Sequence, residues 1–298
     1  ETPLPHIAHA LATTRTAHQH RAVILAHNTT HAHTDLTQLA ENHPTPTTIQ
    51  GTEQRGGKLA VLFTGQGSQQ PGMGQELYAA HPVFAQALDA ACAELDTHLQ
   101  HPLRDIMFAP PGTPQAELLH QTAYTQPALF AYETALYRLT QHLGLQPDYL
   151  TGHSIGEITA AHTAGILTLH DAATLVTARG RLMQNLPPGG TMTSVQATEE
   201  QTRTAINNQP NPHHISIAAI NGPNSTVISG NQEAIHTLTT HLTQQGHKTR
   251  PLHVSHAFHS HLMDPILNEF QQLTETLTYH TPQIPIISNL TGQPAQPN

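Results

Sequence analysis

Near the middle of the chain, Gly152-His153-Ser154-Ile155-Gly156 sets a hydroxyl nucleophile between two glycines. An apolar stretch with strand character, Asp148 to Thr151, leads into it, and a segment rich in Ala, Ile and Thr with helical character leads out. Gly-x-Ser-x-Gly at a strand–turn–helix junction is the nucleophile-elbow pattern, in which the serine Oγ projects into a cleft. A Cβ at position 152 or 156 would crowd the neighbouring strand and helix, which explains the residue type at both places. Behind the serine, a helix N-terminus offers free N–H groups and a positive dipole end, suited to an oxyanion. The plainer readings are a chance glycine–serine turn, or Ser154 as a helix N-cap.

The elements that would hold this serine can be followed along the chain. At residues 59–63 a buried-strand run, Leu-Ala-Val-Leu-Phe, passes directly into Thr64-Gly-Gln66-Gly67-Ser68-Gln69. A strand running into a glycine loop is where α/β sheets build sites, beyond the carboxyl ends of their strands. It is no phosphate loop, because no Lys-Ser/Thr pair follows the glycines. From Gln75 to Leu145 the pattern is helical, with one segment opening at His81-Pro82 and another at Gln126-Pro127. After the elbow, a helix from Ala172 to Met183 carries Arg179, and Pro187-Pro-Gly-Gly190 ends it.

Beyond that break the order becomes strand (193–197), helix (199–207), strand (215–220), strand (226–229), helix (232–245) and strand (248–254). This is the ferredoxin-like order, read here as a small subdomain inserted at 190–253. At Ser255 the chain returns to the main body with His256-Ala-Phe258-His259, a helix from Leu262 and a strand at 284–288. Residues 1–57 stand apart: a helix at 7–11, a strand at 21–25 and a helix at 35–41 precede a Pro/Thr-rich tract at 43–48, read as a linker.

Composition narrows the class. The 298 residues allow one large domain or two modest ones. A formal charge of −9 argues against nucleic acid or an anionic membrane as a partner, since both call for a basic footprint. Cys92 is the single cysteine, so no internal disulfide forms, and its use fits a reducing compartment. No run of 18 apolar residues and no signal-peptide pattern is present, and the expectation is a soluble, cytoplasmic chain. Two histidine groups, His256/His259/His261 and His27/His31/His33, lack a cysteine or carboxylate to complete a usual ligand set. No metal and no bound cofactor are expected.

Taken together, Gly65-Gln-Gly-Ser-Gln69, Gly152-His-Ser-Ile-Gly-Glu157, Arg179 and His256-Ala-Phe-His259 resemble the acyltransferase domain of a modular type I polyketide synthase, related to malonyl-CoA:acyl carrier protein transacylase. The resemblance covers residues 58–298, and residues 1–57 resemble part of the linker between a ketosynthase and this domain. It implies an α/β-hydrolase-like large subdomain with a parallel sheet, in two pieces at 58–189 and 254–298, around the ferredoxin-like insert. It also implies roles. Ser154 would be the nucleophile and His259 its base. The backbone N–H groups of Gln66 and Ile155 would form the oxyanion hole, each donor worth roughly 3 kcal/mol in the transition state. Arg179 would hold the free carboxylate of a malonyl group through a two-bond fork.

His256, Phe258 and Ile155 would favour malonyl over methylmalonyl, Phe258 by filling the space an α-methyl group needs. The implied substrates are malonyl-CoA and the phosphopantetheine thiol of an acyl carrier protein, and the implied partners are that carrier and neighbouring synthase domains. An acidic carrier would need a basic or neutral patch, for which Arg104, Arg138, Arg203, Lys248 and Arg250 are the scattered candidates. Family members continue past Ser288-Asn289-Leu-Thr-Gly292 into a Trp-containing segment, so the chain is expected to be cut short at its C-terminus.

Plainer readings stand beside these. His259 is one of 26 histidines, Arg179 suits a solvated helix face, Phe258 suits core packing, and Glu157 suits support of the elbow helix dipole. The competing functions are a methylmalonyl-selective transferase, a serine hydrolase or thioesterase with a carboxylate such as Asp264 orienting His259, and a catalytically silent docking domain.

Overall fold

The computed structural model describes residues 2–53, 56–252 and 254–295. The chain divides into two units between Lys58 and Leu59. In the first, α1 (Leu4–Thr14), β1 (His20–Ile24), α2 (Thr29–Ala40) and β2 (Thr48–Thr52) follow in order, and β1 pairs antiparallel with β2 from His20↔Thr52 to Ile24↔Thr48. The Pro/Thr tract therefore runs straight into a strand. Thr48-Ile-Gln-Gly-Thr52 has neither an apolar run nor clean alternation, and only its partner β1 reveals it. Asn28 caps α2 by accepting from the His31 N–H at 2.8 Å, and the buried Asp35 on that helix accepts from Thr47 Oγ1 at 2.6 Å.

In the second unit β3 (Ala60–Phe63) is followed by α3 (Gln75–Ala80), α4 (Pro82–Asp96), α5 (Leu103–Met107), α6 (Pro114–Leu118) and α7 (Thr122–His142). Then β4 (Tyr149–Gly152) leads to α8 (Ile155–Thr163) and α9 (Leu169–Gln184). β3 and β4 run parallel, from Ala60↔Tyr149 to Phe63↔Gly152, joined by the long helical crossover that a parallel pair requires. On its other edge β4 meets the returning chain. The Leu150 N–H donates to the Pro285 carbonyl at 2.9 Å, and the Ile287 N–H to the Leu150 carbonyl at 2.8 Å. The expected strand at 284–288 is thus reduced to a parallel bridge centred on Leu150↔Ile286.

The main core lies where α4, α7 and α9 meet, with Phe84, Leu88, Leu95, Leu129, Phe130 and Val176 buried among them. α7 begins at Thr122, four residues before the Gln126-Pro127 start expected from the sequence, so Pro127 sits inside the helix. The helix is buried on most of its faces, and this packing outweighs the proline's break signal.

The insert comprises β5 (Gly190–Val195), α10 (Glu199–Asn207), β6 (Ile215–Gly222), β7 (Ser225–Asn231), α11 (Gln232–Gln244) and β8 (Thr249–Pro251). Its antiparallel sheet has the order β6-β7-β5-β8, which is the ferredoxin-like arrangement. β8 is shorter than the strand expected at 248–254, and the expected subdomain end at His253 lies outside the described residues. Both helices pack on one sheet face around Val195, Ile228, Ile235, Leu238 and Leu242. The opposite face, with Met192 and Val227, packs toward Leu182, Met183 and Phe258 of the large subdomain. The chain then returns through α12 (Asp264–Thr276). The expected ends at residues 1 and 298 also lie outside the described residues, and the two folds together form the α/β-hydrolase-like body with its ferredoxin-like insert.

Candidate active site

β4 ends at Gly152 and α8 starts at Ile155, so Ser154 occupies the turn between them with φ 55° and ψ −109°. That conformation is strained for a residue with a side chain, and such strain is held where the surroundings over-determine it. The surroundings here are backbone. A Cβ on Gly152 would overlap the Gly156 carbonyl, and one on Gly156 would stand 2.5 Å from the carbonyl oxygens of both Phe63 and Thr64. The elbow closes only because both positions are glycine.

His259 faces the serine from the returning chain, its Nε2 2.9 Å from Ser154 Oγ. It too has positive φ, 56°. The turn that presents it is pinned on both sides. The Ser260 hydroxyl donates to the Ala257 carbonyl at 2.7 Å, and His256 Nε2 donates to the Leu186 carbonyl at 2.9 Å. Buried His256 thus braces the junction where the chain leaves for the insert and comes back, and it does not line the cavity.

Arg179 of α9 reaches the same point. One of its terminal nitrogens donates to Ser154 Oγ at 3.0 Å and the other to Gln126 Oε1 at 2.8 Å. Gln126 Nε2 in turn donates to Met183 Sδ at 3.2 Å, which fixes the amide so that its oxygen faces the guanidinium. Burial lowers the Arg179 pKa to about 10, with Glu157 acting in the opposite sense. Among the described residues no carboxylate lies within ion-pair distance of it.

At the mouth of the cleft, burial of the His259 ring, helped by the Arg179 and His153 charges, lowers its pKa to about 4. A neutral imidazole at neutral pH follows. Since Arg179 donates to Ser154 Oγ, the hydroxyl hydrogen is free to point at Nε2, which makes Nδ1 the protonated nitrogen. No carboxylate hydrogen-bonds to His259 among the described residues, and Asp264, which borders a cavity beside it, makes no such bond.

The glycine loop after β3 lies against the elbow. Gly65 packs so closely on His153 that a Cβ there would stand 2.5 Å from Nδ1, and the His153 N–H donates to the Phe63 carbonyl at 2.9 Å. Among the described residues neither the Gln66 nor the Ile155 backbone N–H donates to an acceptor in the chain. The Gln66 side chain donates to Thr122 Oγ1 at 3.3 Å.

Ser154, Gln66, Arg179, Phe258 and His259 all border one cavity of about 220 Å³, whose far wall is Met192, Ala218, Val227 and Leu252 of the insert. Ile155 is fully buried, and its side chain does not line this cavity. Phe258 belongs both to the lining and to the core cluster that joins the subdomains.

Sequence reasoning passed over Gln126 and Asn289. Asn289 donates from its backbone N–H to Glu157 Oε1 at 3.0 Å and from Nδ2 to Glu157 Oε2 at 3.1 Å, and also to the Gly152 carbonyl. Glu157 therefore locks the elbow helix to the returning chain. Arg104 is held by Asp89 and Tyr78, Arg203 by Glu199, Arg138 by Gln141, and neither these nor Lys248 and Arg250 line the cavity. Among the described residues no group of three or more His, Cys, Asp or Glu is placed to hold a metal ion, and no helix is long and apolar enough to cross a membrane.

The acyl transferase domain family matches residues 61–298. The spectinabilin polyketide synthase system protein NorB of Streptomyces orinoci is 47% identical over 289 residues, which is 97% of this chain and 13% of that protein. The chain therefore spans about an eighth of that relative's length. Among solved structures, the acyltransferase domain from the second module of the salinomycin polyketide synthase is 46% identical with a TM-score of 0.79, covering 99% of this chain and 68% of that one. The malonyl-CoA:acyl carrier protein transacylase of Xanthomonas oryzae is 34% identical with a TM-score of 0.73, covering 81% and 76%.

Proposed function

The chain belongs to the acyl transferase domain family found in polyketide synthases, and on that premise we propose that it loads a malonyl unit from malonyl-CoA onto the phosphopantetheine thiol of an acyl carrier protein. The observation that carries the acyl class is Arg179. A half-buried guanidinium 3.0 Å from the nucleophile, with no carboxylate partner among the described residues, is a site waiting for an anion. The free carboxylate of a malonyl thioester supplies that anion and accepts the two-bond fork. An acetyl group would leave the guanidinium unpaired, a difference that reaches roughly 10⁴ in rate.

The distances support the following steps. Ser154 Oγ attacks the thioester carbonyl carbon while its proton passes to His259 Nε2. The oxyanion forms against the free N–H groups of Gln66 and Ile155. The carbon–sulfur bond then breaks, and CoA leaves as the thiol with the proton from His259. The carrier thiol repeats the sequence in reverse, giving its proton to His259 and releasing Ser154. No cofactor enters. Against a hydrolase reading, no carboxylate among the described residues hydrogen-bonds to His259, and Arg179 has no role in it.

The preference for malonyl over methylmalonyl rests on Phe258, which narrows the cavity beside His259. A methyl group's worth of pocket separates two acyl donors by about 1–3 kcal/mol, so some loading of methylmalonyl accompanies malonyl. Residues 1–57 are proposed as the linker from a preceding ketosynthase, and the reaction is proposed to take place in the cytoplasm.

Intact-mass spectrometry after brief incubation with malonyl-, methylmalonyl- and acetyl-CoA tests this reading. A malonyl adduct dominates, is absent in Ser154→Ala, and gives way to an acetyl adduct in Arg179→Ala. Equal malonyl and methylmalonyl adducts would sink the selectivity and leave the mechanism standing. No adduct from any donor would sink both.

A further inference from the structure

Inside α7 lies a carboxylate that the reaction above does not use. Glu133 is buried at 7% exposure, and no cation pairs with it among the described residues. Its Oε1 accepts from the Thr64 N–H at 2.6 Å and from the Thr64 hydroxyl at 2.7 Å, while Oε2 accepts from the Thr159 hydroxyl at 3.0 Å. Thr64 stands two residues before Gln66 on the glycine loop. Thr159 is fully buried one turn after Ile155 on the elbow helix. One carboxylate therefore ties down both segments that supply the free N–H groups, with one oxygen for each.

The tie matters because the loop is packed against the elbow on one side only. Behind it lies a separate cavity of about 530 Å³, bordered by Leu62, Thr64, Tyr132 and Glu133 among others. The loop's other hydrogen bonds include two within the loop, Thr64 Oγ1 to Ser68 Oγ at 2.8 Å and the Gly67 N–H to Gln69 Oε1 at 2.8 Å, and one from the Gln66 side chain to Thr122 Oγ1 at 3.3 Å. A stray ångström in either donor would detune an oxyanion hole, whose worth depends on placement before the charge develops.

We infer that Glu133 is a positioning residue that sets the separation of the Gln66 and Ile155 N–H donors, and that it does so by hydrogen-bond geometry and not by its charge. A negative charge behind an oxyanion site opposes catalysis, so the benefit lies in the three accepted bonds. Glutamine can keep them: its Oε1 accepts both bonds from Thr64, and its Nε2 can donate to Thr159 Oγ1. The inference rests on the Ser154 acyl-enzyme reading above.

The test compares wild type with Glu133→Gln, Glu133→Ala and Thr159→Val. Three quantities are measured: the rate at which a fluorophosphonate modifies Ser154, the saturating acylation rate with its KM for malonyl-CoA, and Tm. Fluorophosphonate attack needs the same oxyanion donors and does not involve the malonyl carboxylate. In Glu133→Ala both rates fall by roughly 30-fold while KM stays within about twofold, a split that marks transition-state stabilisation. Glu133→Gln recovers to within about threefold of wild type. Thr159→Val, which cuts only the Oε2 tie, loses roughly three- to tenfold.

A Glu133→Ala protein with a lower Tm but an unchanged fluorophosphonate rate overturns the inference, as does a Glu133→Gln protein as slow as Glu133→Ala. If Glu133→Ala fails to fold, Thr159→Val decides, and a wild-type rate there overturns it. Failure of the wild type to react with the fluorophosphonate would instead overturn the acyl-enzyme reading itself.

Discussion

On the elbow side of the cleft, backbone packs on backbone. Gly156 lies against the Phe63 and Thr64 carbonyls, Gly152 against Gly156, and the groups that carry charge or orient it, Arg179, Gln126 and Glu133, are held at 2.6–3.0 Å. The opposite side belongs to the insert, where the apolar residues Met192, Ala218, Ala219, Val227 and Leu252 border the cleft together with the polar Asn221. Among the described residues the insert's buried polar side chains are all Thr or Ser. Backbone cannot move aside, whereas apolar side chains can repack, at a cost set by how fully they collapse. Substitutions in the frame should therefore act on catalysis as a whole, and substitutions in the wall on the ratio between acyl donors.

Arg179→Ala should have the largest effect. Malonyl-CoA kcat/KM falls by about 10⁴ while the acetyl-CoA value holds or rises, since only the carboxylate donor loses a partner. Arg179→Lys recovers a part only, because an ammonium has no planar fork for the carboxylate. Steady-state kinetics with both donors check this. Equal losses for the two would mean that Arg179 serves the Ser154 hydroxyl alone. Gly156→Ala comes next. Its Cβ meets two carbonyl oxygens, and moving them would pull β3 from its pairing with β4 and Thr64 from Glu133, at a cost of roughly 3 kcal/mol or more. Denaturant unfolding should show that loss, and acylation should fall with every donor.

The same contrast explains what could be read before the fold was known. The insert's elements and their order were legible, though strand ends differ by up to three residues, because α10 and α11 lay their apolar residues on one sheet face and turn signals bracket each strand. The pairing of Ser154 with His259 was legible through motifs, and the two glycines through sterics. Gln126 and Glu133 were not, because a polar residue inside a buried helix shows its purpose only through partners 53, 69 and 26 positions away. β2 was missed for the matching reason, since Thr48-Ile-Gln-Gly-Thr52 becomes a strand only against β1. The bridge at Ile286 depends on β4 in the same way.

The frame also predicts an unusual pH response. With the His259 pKa lowered from 6.5 to about 4, the base stays neutral as pH falls through 6 and 5. The kcat/KM of the free enzyme should then stay level across the range where an ordinary imidazole is protonated, and turn down only near the lowered value. For stability the sign is opposite to that of a salt-bridged histidine. Between about 4 and 6.5 the unfolded chain binds the proton and the folded chain does not, so this group's contribution is full above 6.5 and is lost as pH falls toward 4. A pH–rate profile checks the first point. Arg179→Ala should move its acid limb upward, because one of the charges that depresses His259 is gone.

Val227→Ala is the smallest effect and the sharpest probe of the wall. Val227 is 6% exposed on β7, paired opposite Ser194 and Ala219, and packed with Met192 and Phe258 where the subdomains meet. Trimming it removes two methyl groups from the cavity wall without touching Ser154, His259 or Arg179, at about 1–2 kcal/mol in stability. The space gained is about twice that of one α-methyl group before the wall relaxes, so the methyl fits. Methylmalonyl-CoA kcat/KM should therefore rise about tenfold at most, while the malonyl value stays within about threefold. Competition between the two donors, read as the ratio of adduct masses, measures the ratio directly and is insensitive to the fraction of folded protein. A malonyl rate that instead collapsed by 10² would show the insert to be as unyielding as the frame, and would erase the contrast between the two sides of the cleft.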